Sequence, residues 1–440
     1  MKLINSNYTQ MKYERISNQL FIKNRAKFVT HLKPNSLAIF NSNDIYPVSA
    51  DSTMPFAQHR DIFYLSGVDQ EESILVIFPD AFDENQREIL FLKETNEHIA
   101  VWEGEKLTKE AAFETAGIKT VYWLDQFESV MKVLTNQAEN IYLNTNLHTR
   151  ANTEVETRED RFIAKFKAEH PAHTYQRSAP IMHRIRSIKE QEEIDLMQNA
   201  CNITEKGFRR ILGMIKPGVM EYEIEAELMH EFISNRSKGW AYTPIIGSGE
   251  SACVLHYIEN NKPCKDGDII LMDFGAEYAN YASDMTRCVP ANGKFTPRQK
   301  EVYNAVLRVK KAAEKLLVPG TYIVDYHKAV GKLMEVELVG LGLITQDDIN
   351  NEDPAWPAYK KYFMHGTSHY IGLDTHDVGS WTEPIEAGMA FTCEPGIYIP
   401  EENLGIRIED DLIVQETGEP LNLMKNIPIE VEEIEALMNA

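Results

Sequence analysis

Two aspartates, Asp273 and Asp284, stand in the segment Leu-Met-Asp-Phe-Gly-Ala-Glu-Tyr-Ala-Asn-Tyr-Ala-Ser-Asp-Met-Thr-Arg, residues 271–287. The apolar run Ile269–Met272 leads straight into Asp273, and Gly275 with the polar Glu277–Asn280 stretch has the composition of a turn. The midpoint of the two aspartates falls between Tyr278 and Ala279. A hairpin turning there makes them direct cross-strand neighbours, with Cβ atoms about 4.5–5.5 Å apart. Two anions that close destabilise a sheet unless a cation sits between them. A chance acidic pair beside a solvated turn is the plainer reading of such spacing, but an aspartate that ends an apolar strand favours a metal ligand.

Further ligand candidates lie downstream: His365 and His369 in Met-His-Gly-Thr-Ser-His, His376 in Asp-Thr-His-Asp, Glu394 in Cys-Glu-Pro-Gly, and Glu409 in Gly-Ile-Arg-Ile-Glu-Asp. Alternation in the last segment puts Arg407 and Glu409 on one strand face and Ile406 and Ile408 on the other. The carboxylates of Asp273, Asp284, Glu394 and Glu409 match the charge of two divalent cations, with one neutral histidine completing the set. Oxygen-rich donors with a single imidazole suit Mn²⁺ better than a structural zinc, and such a pair of ions polarises a substrate carbonyl. Other motifs fall away. Gly247-Ser248-Gly249 has no Walker lysine or dinucleotide spacing, Gly366–Tyr370 puts Tyr370 where a nucleophile elbow needs glycine, and no H-E-x-x-H occurs.

At 440 residues the chain has room for two domains, and 43% hydrophobic with 25% charged residues describes a globular protein. A net charge of −22 argues against nucleic acid or an anionic membrane as partner, because either needs a basic face. The five cysteines form no CxxC pair and none lies in the first 200 residues, which is reduced, cytoplasmic usage. No apolar stretch approaches the roughly 18 residues of a membrane span, and Met1–Ser6 lacks a signal-peptide core.

Several elements must position these groups. A helical pattern covers residues 11–31, with strands expected at 37–40, 73–78, 88–92 and 141–143; a polar loop, 41–60, leads into the 61–67 run. Strands alternating with helical stretches make residues 1–175 an α/β domain. The boundary is set in the Pro-containing 170–180 segment, leaving 176–440 as the second domain. There, Ser187–Glu190 resembles a helix cap, residues 222–234 form an amphipathic helix, Thr296-Pro297 starts another, and 324–341 a fourth. The last ~80 residues are rich in strands and loops.

In these motifs the sequence resembles aminopeptidase P (Xaa-Pro aminopeptidase) of the pita-bread metallopeptidases. The resemblance runs through Ala50–Ser52, Asp61–Gly67, Gly247–Glu250, Leu255–Tyr257 and the ordered Asp-Asp-His-Glu-Glu set to Pro428–Leu437. It implies an α+β protein, with a C-terminal pita-bread catalytic domain preceded by a smaller α/β N-terminal domain. It also implies two divalent ions: Asp273 on one, His369 and Glu394 on the other, Asp284 and Glu409 bridging. Glu394 would relay a proton, Arg407 would fix the bridging carboxylates, and His256, His365 and His376 would surround proline or the scissile carbonyl; plain packing is the competing reading for each of these histidines. Tyr398 is expected to pack the proline ring, and Asp51 and Trp102 to reach a substrate site, Asp51 that of a neighbouring subunit in a homodimer or homotetramer. The expected reaction removes the residue before a proline from a peptide. A prolidase acting on Xaa-Pro dipeptides is the alternative, and the short loop between Gly379 and Glu394, where some bacterial relatives carry a longer arginine-bearing one, bears on peptide length. A metal-free binding protein, a creatinase-like activity and a methionine aminopeptidase fit less well, given the intact ligand set and the long N-terminal part.

Overall fold

A computed structural model describes residues 13–145, 147–151 and 154–440. The chain divides into two compact units, Met1–Arg186 and Ser187–Ala440.

The first unit is built on a six-stranded mixed sheet among the described residues, in the spatial order Thr120–Trp123, Glu88–Leu92, Ile74–Ile77, Ser36–Asn41, Asn140–Leu143, Thr174–Arg177. The expected strands at 37–40, 73–78, 88–92 and 141–143 are all in it. The two apolar central strands are buried along their whole length, and Leu37, Ile39, Val76, Phe91 and Ile141 pack on Met131, Leu134 and Phe166 from covering helices. Two of its strands, Thr120–Trp123 and Thr174–Arg177, escaped the sequence pattern. Thr174–Arg177 is a polar edge strand, held by parallel pairing to Asn140–Leu143 rather than by alternation. Its place in the sheet carries the first unit past residue 175, and the division of the chain falls after Arg186. The Asp61–Gly67 run is a short helix, Arg60–Ser66, closed by Gly67 in the left-handed region at φ 68°. The first helix spans Asn18–Thr30 with Ser17 as its cap; residues 11 and 12 of the expected span lie outside the described residues.

In the second unit Glu221–Ser234, Pro297–Glu314 and Ile323–Gly340 are helices, and Thr296 caps the second of these in a capping box with Gln299. The expected cap at Ser187 is displaced. Ser187 ends a helix, Ala179–Ser187, and the long helix Gln191–Leu212 starts after Glu190, whose N–H donates to the Glu193 carboxylate at 2.9 Å. Both readings rest on an acidic first turn, but Ile188 is drawn into a bridge with Met389, and this postpones the helix.

The strand Ile269–Phe274 is buried throughout, between Ile245–Ser248 and Met285–Pro290. The hairpin beyond it turns at Ala279-Asn280, both with positive φ (54° and 68°), as a two-residue primed turn requires. That corrects the expected register. Asp273 faces Thr286, so Asp273 and Asp284 are not directly opposed. Moving the turn by one residue moves each partner by two, and so both aspartates keep the same face. Gly275 is obligatory at the crossing, because a Cβ there would lie 1.7 Å from the Ser283 carbonyl oxygen. The expected continuous 405–410 strand is also divided: Leu404–Arg407 pairs with Gly396–Ile399, and Asp410–Ile413 with Ala390–Cys393. Glu409 stands at the switch between sheets, its N–H held by the Thr286 carbonyl at 3.1 Å.

Glu159, in the first turn of Arg158–Glu169, is 7% exposed and its Oε1 has no hydrogen-bond partner. Burial pushes its carboxyl up to about 8, against some relief from Asn41. An acid whose folded pKa is raised keeps its proton longer in the native state, so stability falls as pH rises from about 4.5 to about 8. Glu159→Gln should therefore raise the urea midpoint of unfolding at pH 8 by much more than at pH 5; equal shifts at both pH values would contradict this.

Candidate metal centre

Five groups from five segments of the second unit converge. Asp273 comes from the end of its buried strand, and Asp284 from the break where the return strand crosses Gly275. His369 lies on a loop zipped to the Ala390–Cys393 strand: Thr392 N–H donates to His369 O at 3.0 Å, and Glu394 N–H to Thr367 O at 2.8 Å. Glu394 follows that strand, and Glu409 occupies the sheet switch.

The ligand atoms of Asp284, His369 and Glu409 lie within 4.8 Å of one another, all buried. His369 Nε2 is 3.4 Å from Asp284 Oδ2 and 3.6 Å from Glu394 Oε1. Its Nδ1 lies 2.9 Å from the Tyr370 carbonyl oxygen, which fixes the ring and leaves Nε2 towards the carboxylates. The electrostatics are those of crowded anions. Burial, then Asp284, Glu394 and Asp273, pushes the Glu409 carboxyl well above its usual range. Burial also pushes Glu394 up to about 7, although His369 and Arg407 oppose it. Burial alone would depress His369, but Asp284 and Glu394 raise it to about 9. Three buried donor groups in such proximity, in a field that attracts positive charge, fit a divalent cation.

A second network orients these groups. Arg407 Nη2 donates to Asp273 Oδ2 at 2.5 Å, Nε to Thr286 Oγ1 at 3.0 Å and Nη1 to the Tyr398 hydroxyl at 2.8 Å. The Thr286 hydroxyl in turn donates to Glu409 Oε2 at 2.6 Å. The Tyr398 hydroxyl lies 2.8 Å from His365 Nε2, and His365 Nδ1 lies 2.7 Å from the Gly366 carbonyl. Burial pushes His365 down to about 3, so it is neutral, with Nδ1 protonated and Nε2 accepting from Tyr398. His376 meets the His369 ring edge to face at 4.4 Å. His256 is exposed, yet close enough to oppose protonation of His365.

Asp51 and Trp102 lie on the first unit. Asp51 is in the turn of a small exposed hairpin, and Trp102, 80% exposed, is on the short helix Glu97–Glu103. Four groups at the centre gave no sequence signal. The Tyr242 hydroxyl bonds both Asp273 and Asp284 (2.5 Å to the latter). It reaches them because Ala241 N–H is tied to the Gly275 carbonyl at 2.9 Å. Thr286 serves Arg407 and Glu409 together, Asp411 accepts from the Asp284 N–H at 3.0 Å, and His327 bonds the Ser368 carbonyl between His365 and His369. A lone Tyr, Thr or Asp in a loop or strand is ordinary; only the histidine count could have prompted a search, and then for His327 alone.

The model of metallopeptidase family M24 matches residues 195–416, and that of the aminopeptidase P N-terminal domain matches residues 21–142. The chain is 35% identical to the Xaa-Pro aminopeptidase of Escherichia coli, over 97% of this chain and 98% of the relative. It is 31% identical to human Xaa-Pro aminopeptidase 3, over 90% and 79%. Among solved structures, Pseudomonas aeruginosa aminopeptidase PepP superposes with a TM-score of 0.87 at 31% identity, covering 97% of this chain and 98% of that one. A zinc-substituted E. coli aminopeptidase P in complex with product gives 0.86 at 33%, covering 97% and 99%. With an α/β unit followed by an α+β unit whose five acidic and imidazole groups meet in one buried centre, the chain belongs to metallopeptidase family M24 and carries an aminopeptidase P N-terminal domain.

Proposed function

We propose that this enzyme is an Xaa-Pro aminopeptidase, releasing the N-terminal residue that precedes a proline. The convergence of Asp273, Asp284, His369, Glu394 and Glu409 in one buried centre of an M24 metallopeptidase carries the reading. The family uses divalent metal. Two ions, Mn²⁺ by the oxygen-rich donor set, would match the charge, and Asp273, Asp284, His369, Glu394 and Glu409 would hold them. Bound there, such ions would polarise the scissile carbonyl and make water a better nucleophile.

The protein's own groups do the rest. Glu394 takes a proton from the attacking water and returns it to the departing ring nitrogen, which has no N–H of its own. Arg407 holds Asp273 directly and Glu409 through Thr286, keeping the carboxylates in place as charge shifts. His365, neutral and hydrogen-bonded through Tyr398 to Arg407, lines the proline pocket with His256 and His376. Asp51 and Trp102 are assigned to the substrate side, Asp51 reaching the site of a neighbouring copy in a homodimer or homotetramer. The chemistry needs no nucleic acid and no membrane. No helix of the described residues is long and apolar enough to cross one, and the five free thiols accord with a cytoplasmic location.

Three outcomes test this. Initial rates on Xaa-Pro, Xaa-Pro-Zaa, Xaa-Ala-Zaa and N-acetylated Xaa-Pro-Zaa should be highest on the free Xaa-Pro-Zaa peptide. A dipeptide preference moves the assignment to prolidase, and equal rates on the alanine peptide remove the proline specificity. Asp284→Asn should lose most activity and at least one ion per chain by elemental analysis; full occupancy with normal turnover would refute the bridging role. Tyr242→Phe, removing only the hydroxyl shared by Asp273 and Asp284, should lower metal affinity or kcat by about 10–100-fold, the cost typical of losing a partner of a ligand.

A further inference from the structure

Lys189 and Asp377 form an ion pair at 2.9 Å whose side chains are 2% and 1% exposed. A buried pair of this kind is weak evidence for stability, since well-packed apolar side chains often serve as well; its geometry shows what else it does. Lys189 N–H donates to the Gly388 carbonyl at 2.8 Å, and neighbouring Ile188 bridges Met389, at the start of the strand that leads to Glu394. Asp377 N–H donates to the Tyr370 carbonyl at 2.9 Å, and Asp377 Oδ1 accepts from Val378 N–H at 2.9 Å. The pair lies directly on Gly372, where a Cβ would stand 2.2 Å from Asp377 Oδ2 and 2.6 Å from Lys189 Nζ. The Gly372 carbonyl in turn accepts from Ala282 N–H at 2.8 Å, two residues before Asp284. One ion pair therefore clamps the backbones that carry Glu394, Asp284 and the loop of His369 and His376.

We propose that Lys189 and Asp377 are a positioning pair for His376, which immediately precedes Asp377 and meets the His369 ring at 4.4 Å. The pair holds the 370–378 loop so that the His376 imidazole stays against the centre; neither residue touches substrate. This inference rests on the functional reading above, in which His376 faces the substrate.

A double-mutant cycle separates this role from general stabilisation, because residues acting through one another lose additivity. Wild type, Asp377→Asn, His376→Ala and the double variant are compared for kcat and KM on an Xaa-Pro-Zaa peptide, bound metal and melting temperature. Asp377→Asn should lower kcat at least tenfold at wild-type metal content, yet less than twofold when introduced into His376→Ala. The same loss in both backgrounds, a wild-type kcat, or a loss explained by lost metal would overturn the proposal. If Asp377→Asn does not fold, Lys189→Met/Asp377→Leu, which removes both charges together, takes its place under the same criteria. Failure of the wild type to cleave the peptide would overturn the functional reading and this inference with it, whereas cleavage with an additive cycle would overturn this inference alone.

Discussion

Four carboxylates around one point, three of them buried and Glu394 partly so, are the constraint on which the second unit depends. Removing a carboxylate from water costs several kcal/mol even after relaxation, and each further anion nearby adds repulsion that a low-dielectric interior screens poorly. Such a cluster persists only if positive charge and hydrogen-bond donors reach it. Arg407 supplies a permanent charge from inside the fold, bonded to Asp273 and, through Thr286, to Glu409. His369 supplies an imidazole whose proton the carboxylates favour. The remaining charge is what a divalent metalloenzyme brings with its ions.

The other buried ion pairs show the difference between structural and reactive arrangements. Asp410 accepts from Arg287 at 2.6 Å and also from Lys310 and Asn422, so its carboxyl is held below its ordinary value despite burial. Asp61, with Arg186 at 2.8 Å and Asn144 at 2.9 Å, is likewise lowered. These acids have donors enough to stay ionised. Asp411, one residue beyond Asp410, has its Oδ1 without a partner and is raised well above its ordinary value by burial and by Asp284. Adjacent residues on one strand thus carry opposite electrostatics, because alternate side chains enter opposite faces of the sheet.

Much of the centre was legible in the chain. Asp273 could be recognised because an apolar run leads into it, and Glu394 and Glu409 because each sits in a short motif next to strand-forming residues. The hairpin was also legible, but its register was not. Residues 277–280 all suit a turn, and only the fit of Ala279 and Asn280 to positive φ, with Glu277 accepting from the Asn280 N–H, selects one. The error left the face unchanged, so both aspartates still lie on the side of the other three groups. Tyr242, Thr286 and Asp411 could not be read, since their value lies in the atoms they meet across 42, 123 and 127 positions of sequence.

By itself the sequence determined the kinds of group and their order: five ligand-type residues, each beside a local pattern strong enough to place it on a strand end or loop. It also determined the α/β character of the first unit, because the buried central strands are continuous apolar runs. Only the tertiary structure decided which oxygen faces which nitrogen, that the 405–410 segment divides between two sheets at Glu409, and that Lys189 closes on Asp377 over Gly372. Local patterns report burial and period, which are properties of a few consecutive residues. Partner choice in a buried polar network is settled by long-range packing, where each donor must find its acceptor or leave a costly unpaired group.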